Sequence, residues 1–346
     1  MKESCVWYLC LFEFCLLLRK NCLMLCIFNT SNDAYFNMAV EEYVFTHFSE
    51  DIFMLWRNEP AIIVGRFQNS LAEINLDFVK EKGIKVVRRL TGGGAVFHDL
   101  QNLNFTFCES NSIGNFRTFT QPILEVLNGL GVDARFEGRN DLMIDGRKFS
   151  GNAQCVSNGR ILHHGTLLFD TAMTDMSNAL KVNPLKFEDK AVKSVRKRVT
   201  NISEHLKQPL SVLQFSDLIM KHIMDTKPNC QMYEFSADDI VAITKLRDEK
   251  YSTWDWNFGH SPKYSYSKMI RTKGGNVEIH LNIEKGVIEG VKIYGDFFAK
   301  RDVSEFEGLF AGVLHEEKAI SEKLAKVNTE DYFLGVTNED ILKLMI

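Results

Sequence analysis

Residues 88–99 of the chain read Arg88-Arg89-Leu90-Thr91-Gly92-Gly93-Gly94-Ala95-Val96-Phe97-His98-Asp99. The three consecutive glycines stand between two strand-like runs and leave a backbone without Cβ atoms. Such a backbone can approach a ligand closely and turn its N–H groups toward phosphate oxygens. The preceding arginine pair adds positive charge and the fork geometry that suits phosphate. A tight turn with a basic surface pair has the same local pattern, so this stretch leaves a binding loop and a plain turn both open.

The spacing within this stretch excludes two familiar nucleotide-binding motifs. No Gly-Lys-Ser or Gly-Lys-Thr follows the glycines, so the loop is not a Walker loop. The Gly-x-Gly-x-x-Gly spacing and the strand–helix–strand context of a dinucleotide-binding turn are also missing. Any phosphate site here must therefore belong to another fold.

Short strand-like runs dominate both sides of the loop. Gly, Pro or Asn residues separate one run from the next. The runs lie at residues 52–57, 61–65, 85–89, 95–98, 103–107, 133–136, 142–144, 148–150 and 161–169. Helices are predicted among them at 34–48 and at 119–130. Ser31, Asn32 and Asp33 can cap the first, which should have Tyr35, Met38, Ala39 and Tyr43 on one face. Many strands with few helices between them favour an α+β fold with a mixed, mostly antiparallel sheet and flanking helices.

The chain changes character near residue 250, where we place a domain boundary. Helices are predicted before it at 212–225 and 237–249. After it, strands at 264–270, 277–283 and 287–294 form a meander, and helices follow at 303–313, 315–325 and 338–345. We therefore expect a catalytic domain over 24–250 and a small α+β accessory domain over 251–346.

The N-terminal residues 1–23 are expected to be an extension without a folded role, with Met24 as the natural start. Their apolar run, Val6 to Leu18, is shorter than the ~20 residues that a spanning helix needs. It also lacks the basic n-region and the cleavage site of a signal peptide. The eight cysteines lack the spacing of a metal site and suit a reducing compartment. We therefore expect the protein to be cytoplasmic. A net charge of −4 indicates neither a nucleic acid nor a membrane partner.

A second motif joins Arg139-Asn140-Asp141 to Lys148-Phe149-Ser150-Gly151-Asn152-Ala153. Asp141 can help to hold Mg²⁺ beside a nucleotide, because Mg²⁺ prefers carboxylate and phosphate oxygens. Lys148 alternates with Phe149 on a predicted strand, so it faces one side of the sheet, where it can meet an anion. A hairpin with an exposed lysine explains the same residues and stays open.

Two further stretches carry candidate chemistry. The first is His163-His164-Gly165-Thr166, where strand alternation places one histidine on each face of the sheet. The pattern fits a histidine buried in the core as well as a histidine in a site. The basic run from Lys193 to Asn201 mixes Ser, Thr and Asn with its charges, which suits either a solvated face or a loop over a phosphate.

Taken together these blocks resemble the lipoate–protein ligase family of the bacterial two-domain type. The likeness runs in order from about residue 32 to 201. Further matches are Asn37-Met38-Ala39-Val40-Glu41-Glu42, Gly65-Arg66-x-Gln68-Asn69, Asn104-x-Thr106-Phe107 and Trp254-x-Trp256-Asn257-Phe258-Gly259. The resemblance implies a core shared with biotin ligases and class II synthetases. One departure is Gln101, where the family usually has glycine.

The resemblance also implies a set of site residues, with Lys148 as the central catalytic one. Those implied to bind ATP are Arg89, Gly94, Ala95, Val96, Phe97, Asp141 and Lys148. Those implied to bind lipoate are Lys148, Arg89, Gly93, His164 and Gly165. A loop over the adenylate is expected to carry Ser194, Arg196 and Arg198, and Asp141 is the candidate Mg²⁺ ligand. We expect the apolar slot for the acyl tail to be lined by Val87, Val96 and Leu167.

The activity that the resemblance implies is ATP-dependent. Lipoate is joined to AMP with release of pyrophosphate, and the lipoyl group then passes to a lysine of lipoyl domains in 2-oxoacid dehydrogenase complexes or of the glycine-cleavage H protein. Three alternatives stay open: an ATP-independent octanoyl or lipoyl transferase, a biotin ligase, and a non-catalytic acyl- or nucleotide-binding protein. The transferase needs a nucleophilic cysteine, for which Cys155 is the candidate, and the biotin ligase needs an Arg-Gly-Arg block that is missing.

Overall fold

The computed structural model describes residues 23–68, 70–110, 115–180, 198–258, 266–284 and 287–346. The strands are β1 (Met24–Phe28), β2 (Asp51–Trp56), β3 (Ala61–Val64), β4 (Lys85–Arg88), β5 (Val96–His98), β6 (Asn102–Ser110), β7 (Ala134–Glu137), β8 (Asp141–Ile144), β9 (Arg147–Ser157), β10 (Arg160–Leu168), β11 (Cys230–Met232), β12 (Tyr266–Thr272), β13 (Gly275–Glu284) and β14 (Val287–Gly295). The helices are α1 (Ala34–His47), α2 (Ser70–Glu73), α3 (Leu76–Lys82), α4 (Phe116–Gly129), α5 (Met173–Ala179), α6 (Val212–Thr226), α7 (Ala237–Leu246), α8 (Trp254–Asn257), α9 (Val303–Gly308), α10 (Glu317–Leu324) and α11 (Asn338–Met345).

The largest sheet has eight strands in the order β11-β1-β2-β6-β10-β9-β8-β7. Strand β1 runs parallel to both of its neighbours, with Met24 opposite Asp51 on one side and Cys230 on the other. The pairs from β2 through β7 are antiparallel. The predicted α+β fold with a mixed, mostly antiparallel sheet is confirmed.

Apolar layers cover both faces of this sheet. On one face α4 and α6 bury an aromatic cluster that includes Phe53, Phe107 and Phe119. On the other face lie α1 and a second, three-stranded sheet in the order β4-β3-β5. This small sheet carries the glycine loop between β4 and β5 and so holds it over the large sheet.

Helix α1 begins as predicted, because the Asp33 side chain accepts the N–H of Tyr35. Its buried face differs from the prediction. Met38 is buried as expected, but so are the polar residues Asn37 and Glu41, whereas Tyr35 is only partly covered. Polar side chains inside a helix–sheet layer need partners, and Glu41 finds its partners in the site described below.

The C-terminal residues form the predicted meander β12-β13-β14, which packs with helices α9 to α11 around a separate core. Helices α9 and α10 are shorter than the sequence indicated. The short helix α8, which precedes the meander, stays with the first part of the chain. Its Asn257 accepts the backbone N–H of Arg88 through Oδ1 at 2.9 Å.

Several elements went unpredicted, namely β1, α2, α3, α5, α8 and β11. The predicted N-terminal extension lies almost wholly outside the described residues, which begin at Leu23. Within the described ranges no helix combines the length and the apolar character needed to cross a bilayer.

Candidate active site

A cavity of about 120 Å³ lies between the glycine loop and the large sheet. Eight of the predicted site residues line it, namely Arg89, Gly93, Gly94, Ala95, Val96, Lys148, His164 and Gly165. The remaining wall consists of Met38, Trp56, Ile63, His98, Asn104, Asn140, Gly151, Asn152, Ala153 and Thr166. The sequence motifs from separate strands thus meet around one space.

The strand register shows how the floor of this cavity is built. Trp56 of β2 stands opposite Asn104 of β6, and Asn104 stands opposite Thr166 of β10. Gly151 of β9 donates its backbone N–H to Thr166 Oγ1 at 3.4 Å. Residues directly opposite one another share a face, so Trp56 and Gly151 mark two ends of the floor, and Lys148 lies against Gly151.

The glycine loop is shaped by the buried guanidinium of Arg89. Its Nη2 donates to the carbonyls of Gly92 (2.6 Å) and Gly94 (2.9 Å), and its Nη1 donates to the carbonyl of Ile63 at 3.0 Å. Gly93 has φ +89°, a backbone conformation that residues other than glycine rarely adopt. Burial lowers the pKa of Arg89 to about 10, so it stays charged at neutral pH.

A buried hydrogen-bond chain runs beneath the loop. His164 Nδ1 lies 2.9 Å from both carboxylate oxygens of Glu41, and its Nε2 lies 2.7 Å from Thr91 Oγ1. Thr91 Oγ1 also accepts Nε–H of Arg89 at 3.0 Å, and Glu41 accepts the hydroxyl of Thr106 at 2.5 Å. With the His164 proton on Nδ1, every member has a matching donor or acceptor, and Glu41 holds the histidine in that form.

Lys148 reaches the cavity from β9 as the alternation with Phe149 predicted. Its Nζ lies 2.8 Å from Asp141 Oδ1, and both side chains stay more than one-third exposed. Phe149 points to the opposite core and is fully buried. Asp141 does not itself line the cavity, but its carboxylate sits beside the ammonium that does.

The backbone of Lys148 is held by the segment that was predicted to cover the adenylate. Its N–H donates to the carbonyl of Arg198 at 2.8 Å, and its carbonyl accepts the N–H of Thr200 at 3.0 Å. Ser194 and Arg196, the other predicted members of this loop, lie outside the described residues. Arg198 therefore supports Lys148 through its main chain.

Strand alternation sends several of the expected residues away from the cavity. Arg88 points to the other side of β4, where its guanidinium donates to the carbonyls of Gly65, Arg66, Gln68, Trp256 and Asn257 and to the hydroxyl of Ser70. Phe97 packs in a cluster behind β5. Of the three residues expected to line the acyl slot, only Val96 lines the cavity. Leu167 faces the opposite core because its neighbour Thr166 faces the cavity, and Val87 is buried in the core beside α1.

The histidine pair divides as alternation predicted, one to each face. His164 joins the site, whereas His163 stacks on Phe119 (4.8 Å between ring centroids) in the aromatic core and accepts from Gln154. Burial lowers the pKa of His163 well below its ordinary value, so it is neutral. Gly165, which follows His164, has no room for a side chain, because Asn152 Oδ1 and the Phe105 ring lie where a Cβ would stand.

Residues from the C-terminal part of the chain also reach the glycine loop. The carbonyl of Phe297 accepts the N–H of Gly93 at 3.1 Å. The ring of Phe298 lies 4.5 Å from the guanidinium carbon of Arg139, which donates to the carbonyl of Gly274. One of the loop N–H groups that the sequence suggested for phosphate is therefore bonded to protein in this conformation.

Cys155, the candidate transferase nucleophile, does not line the cavity. Its side chain packs against the core between the sheet and α1. Burial, followed by the charge of Glu41, raises the pKa of its thiol to about 12, so the reactive thiolate is absent at neutral pH. The geometry gives a cysteine-thioester route no support.

The turn that carries Gln101 in place of glycine is accommodated without strain. Asp99 accepts the N–H of Gln101 at 2.9 Å and that of Ala172 at 2.8 Å through its two carboxylate oxygens. Gln101 is not among the residues with positive φ, so the turn does not require glycine there.

Sequence reasoning assigned no role to several residues of the site, notably Glu41, Trp56, His98, Asn104 and Asn152. One signal was available for Glu41. It lies four residues after Asn37 on a helix otherwise apolar toward the sheet, which is the spacing of a single helix face. Buried polar residues at core spacing point to a site.

Comparison with known proteins gives matches along nearly the whole chain. Residues 33–224 match the lipoyl protein ligase A/B catalytic domain, and residues 261–345 match the bacterial lipoate protein ligase C-terminus. The lipoate-protein ligase LplJ of Bacillus subtilis (strain 168) is 44% identical over 321 residues, which cover 91% of this chain and 97% of that protein.

Solved structures agree with these matches. LipL1 of P. falciparum in complex with lipoate has a TM-score of 0.76 and 25% identity, covering 92% of this chain and 97% of that one. Lipoate-protein ligase A bound with ATP has a TM-score of 0.59 and 27% identity, covering 68% and 98%. A bipartite ligase from Thermoplasma acidophilum, described with its E2 lipoyl domain, has a TM-score of 0.60 and 30% identity, covering 70% and 98%.

The fold and the site thus define an enzyme that modifies proteins with an acyl group. The chain belongs to the lipoate–protein ligase family.

Proposed function

We propose that this enzyme uses ATP to convert lipoate to lipoyl-AMP in the cavity and then transfers the lipoyl group to a lysine of a lipoyl domain. The observation that carries the proposal is the position of Lys148. Its ammonium lies at the sheet end of a cavity that the glycine loop closes from above. The family, the ATP-bound relative and the lipoate-bound relative support the same reaction.

The first step requires two anions to meet. A carboxylate oxygen attacks the α-phosphorus of ATP, the bond to the bridging oxygen breaks, and pyrophosphate leaves. The Lys148 ammonium offsets the repulsion between the reactants and the charge that builds on phosphorus. Arg89 acts mainly through the loop, because its Nε and Nη2 hydrogen bonds hold Thr91, Gly92 and Gly94 in place.

Asp141 fits a site for Mg²⁺ that is completed by the nucleotide. Among the described residues no three His, Cys, Asp or Glu side chains come together as a ready-made metal site. Mg²⁺ commonly takes one or two protein carboxylates and draws its other ligands from phosphates and water. The half-exposed Asp141 carboxylate beside Lys148 suits that arrangement. When bound, the ion would neutralise charge on the leaving pyrophosphate.

The second step needs a neutral lysine from the acceptor, which attacks the carbonyl carbon of the mixed anhydride and releases AMP. We propose lipoyl domains of 2-oxoacid dehydrogenases and the glycine-cleavage H protein as acceptors. The Thermoplasma ligase described with its E2 lipoyl domain supports the first of these. Until the acceptor arrives, the walls of the cavity keep water from the adenylate.

The division of the chain is part of the proposal. We assign catalysis to residues 24–250 and an accessory role to 251–346, apart from α8, which packs on the first range. We place the protein in the cytoplasm. The large sheet and the cavity-lining residues all fall within the first range. The meander and its separate core fall within the second.

The direct test is release of pyrophosphate from ATP and Mg²⁺ in the presence of lipoate, followed by transfer to a purified lipoyl domain. We expect pyrophosphate release to depend on lipoate and the acceptor to gain the lipoyl mass. No nucleotide consumption with lipoate or octanoate would contradict the ligase assignment. Transfer from an octanoyl thioester without ATP would instead support the transferase.

A further inference from the structure

One hydrogen-bonding group in the cavity wall has no partner. His98 lines the cavity, and its side chain is 2% exposed. Its Nδ1 lies 3.1 Å from Asn58 Nδ2, but its Nε2 is buried without any hydrogen-bond partner in the described part of the chain. Buried polar atoms are nearly always paired, so an unpaired one on a residue that lines a cavity points to a ligand atom.

The surrounding amides determine which nitrogen of His98 carries the proton. Asn37 Nδ2 donates to the carbonyls of Ser31 and Arg57, at 2.8 and 2.9 Å, which fixes the orientation of that amide. Asn58 Oδ1 lies 2.8 Å from the same nitrogen and shares one of its two hydrogens, whereas the opposite orientation of Asn58 would set two NH₂ groups against each other. Asn58 therefore presents its own NH₂ group to His98 Nδ1. Nδ1 is then the acceptor, and Nε2 carries the hydrogen of a neutral imidazole.

The charge state of the ring agrees with this assignment. Burial, and after it the positive charge of Arg89, lowers the pKa of His98 to about 3. The ring is therefore neutral throughout the physiological range, and its single N–H is the unpartnered one.

His98 lies at the far end of the cavity from Lys148. Strand β5 leaves the glycine loop at Val96 and reaches His98 two residues later, ~7 Å further on. There the His98 ring meets Trp56 edge-on, with 5.8 Å between centroids. Trp56 marks the end of the floor opposite to Gly151, and three strand spacings, ~14 Å, separate them. A medium-chain acid with its carboxylate at Lys148 therefore places its distal atoms near His98.

We propose that the Nε2–H of His98 donates a weak hydrogen bond to sulfur at the distal end of the acyl chain and so selects lipoate over octanoate. This inference rests on the cavity being the acyl site of the ligase. A dithiolane sulfur is a weak acceptor, but a saturated chain offers none and leaves the N–H buried and unpaired. The rest of this end, Met38, Trp56 and Ile63, is apolar and accepts either chain.

The first experiment compares kcat/KM for adenylation of lipoate and octanoate in the wild type and in His98→Phe. Phenylalanine keeps the ring shape and removes the N–H. We expect the lipoate-to-octanoate ratio to fall roughly three- to tenfold, because lipoate loses its hydrogen bond and octanoate no longer leaves an N–H unpaired. An unchanged ratio in a folded variant would overturn the proposal but not the ligase function, because octanoate and lipoate would both still be activated.

His163→Phe is the matched control. His163 is also buried and neutral with an unpartnered Nε2, but it lies in the aromatic core on the other face of the sheet. Its Nδ1 accepts a hydrogen bond from the side-chain amide of Gln154 at 2.9 Å, as the Nδ1 of His98 does from Asn58. Its substitution should leave the substrate ratio of the enzyme unchanged. An equal fall in both variants would show that loss of any buried histidine alters the ratio, and it would overturn the proposal.

Two measurements on the wild type do not depend on a variant folding. In a two-bond ¹H–¹⁵N spectrum, His98 should show a protonated Nε2 and a bare Nδ1, and the Nε2 resonance should shift with lipoate but not with octanoate. In a series of octanoates with one CH₂ replaced by sulfur at successive positions, kcat/KM should peak when the sulfur is near the distal end. A proton on Nδ1, or a flat series, would overturn the proposal.

Discussion

His164 Nδ1 lies 2.9 Å from both carboxylate oxygens of Glu41, so a buried carboxylate holds the imidazole that closes the cavity floor. The same carboxylate accepts the hydroxyl of Thr106. Glu41, which does not line the cavity, thus links α1 to two strands, β6 and β10. The consequence is that Glu41 matters to both stability and catalysis.

Replacement of Glu41 by alanine leaves His164 Nδ1 and the hydroxyl of Thr106 as buried groups without an acceptor. Unpaired groups of this kind cost about 1–3 kcal/mol each, so we expect the free energy of unfolding in urea to fall by about 3 kcal/mol and adenylation to slow. Glu42→Ala is the control, because Glu42 binds Lys250 and Tyr251 instead. It should destabilise the fold and leave kcat for adenylation near the wild-type value. Equal loss of kcat in both would contradict a specific role of Glu41.

Lys148→Ala should abolish formation of the adenylate while the protein stays folded. Loss of one such charge-stabilising donor commonly raises a barrier by about 3 kcal/mol, which corresponds to a rate loss of 10²–10³. Its side chain is 38% exposed, so the free energy of unfolding should change by less than about 0.5 kcal/mol. Lys85 is a close match, 34% exposed and 3.0 Å from Asp33, and Lys85→Ala should adenylate normally. Full adenylation by Lys148→Ala would remove this lysine from the mechanism.

Arg88 is predicted to be a structural residue, in contrast to Arg89. Its buried guanidinium bonds to five carbonyls and one hydroxyl, and Arg88→Met would leave them without a donor. We expect the free energy of unfolding of Arg88→Met to fall by about 3–5 kcal/mol. The value for Arg88→Lys should lie between those of Arg88→Met and the wild type. Arg301→Lys, in an exposed pair with Glu305, should change it by less than about 1 kcal/mol. A stable Arg88→Met protein would refute this assignment.

Asp239 should contribute a pH-dependent part of the stability. Burial raises its pKa, but hydrogen bonds from Tyr233, Tyr43 and Ser236 outweigh it and lower the pKa from 3.8 to about 2. A lowered pKa stabilises the fold above the unfolded pKa, and that stability is lost as the pH falls from about 4 through 2. The shift corresponds to about 2 kcal/mol. The difference in unfolding free energy between the wild type and Asp239→Asn should shrink by that amount from pH 5 to 2, and a constant difference would contradict it.

The sequence predicted the elements whose pattern is local. Asp33 caps α1, the glycine loop joins two strands, and Lys148 and Phe149 take opposite faces, all as periodicity and capping indicated. The same alternation also determines on which side of a strand further side chains lie. It places Arg88 and Arg89 on opposite sides of their strand, and it sends Leu167 away from the face that Thr166 occupies.

Other features could not be read from local sequence, because their cause lies far along the chain. The helix face of Glu41 can be read from its spacing, but its partner His164 stands 123 residues further along the chain. Strand β11 has three residues, too few to show a period. The proton position of His98 depends on amides at Asn37 and Asn58. These side chains and strands come together only in the folded protein.

Strand β1 lies between β2 and β11, with Met24 opposite Cys230. During synthesis on the ribosome, β1 emerges early and its last neighbour emerges late. Until Met232 is free, the outer edge of β1 presents unpaired backbone groups, which invite association with other chains. Completion of the sheet must therefore await nearly all of the catalytic portion, and a nascent chain of this enzyme depends on protection of that edge during translation.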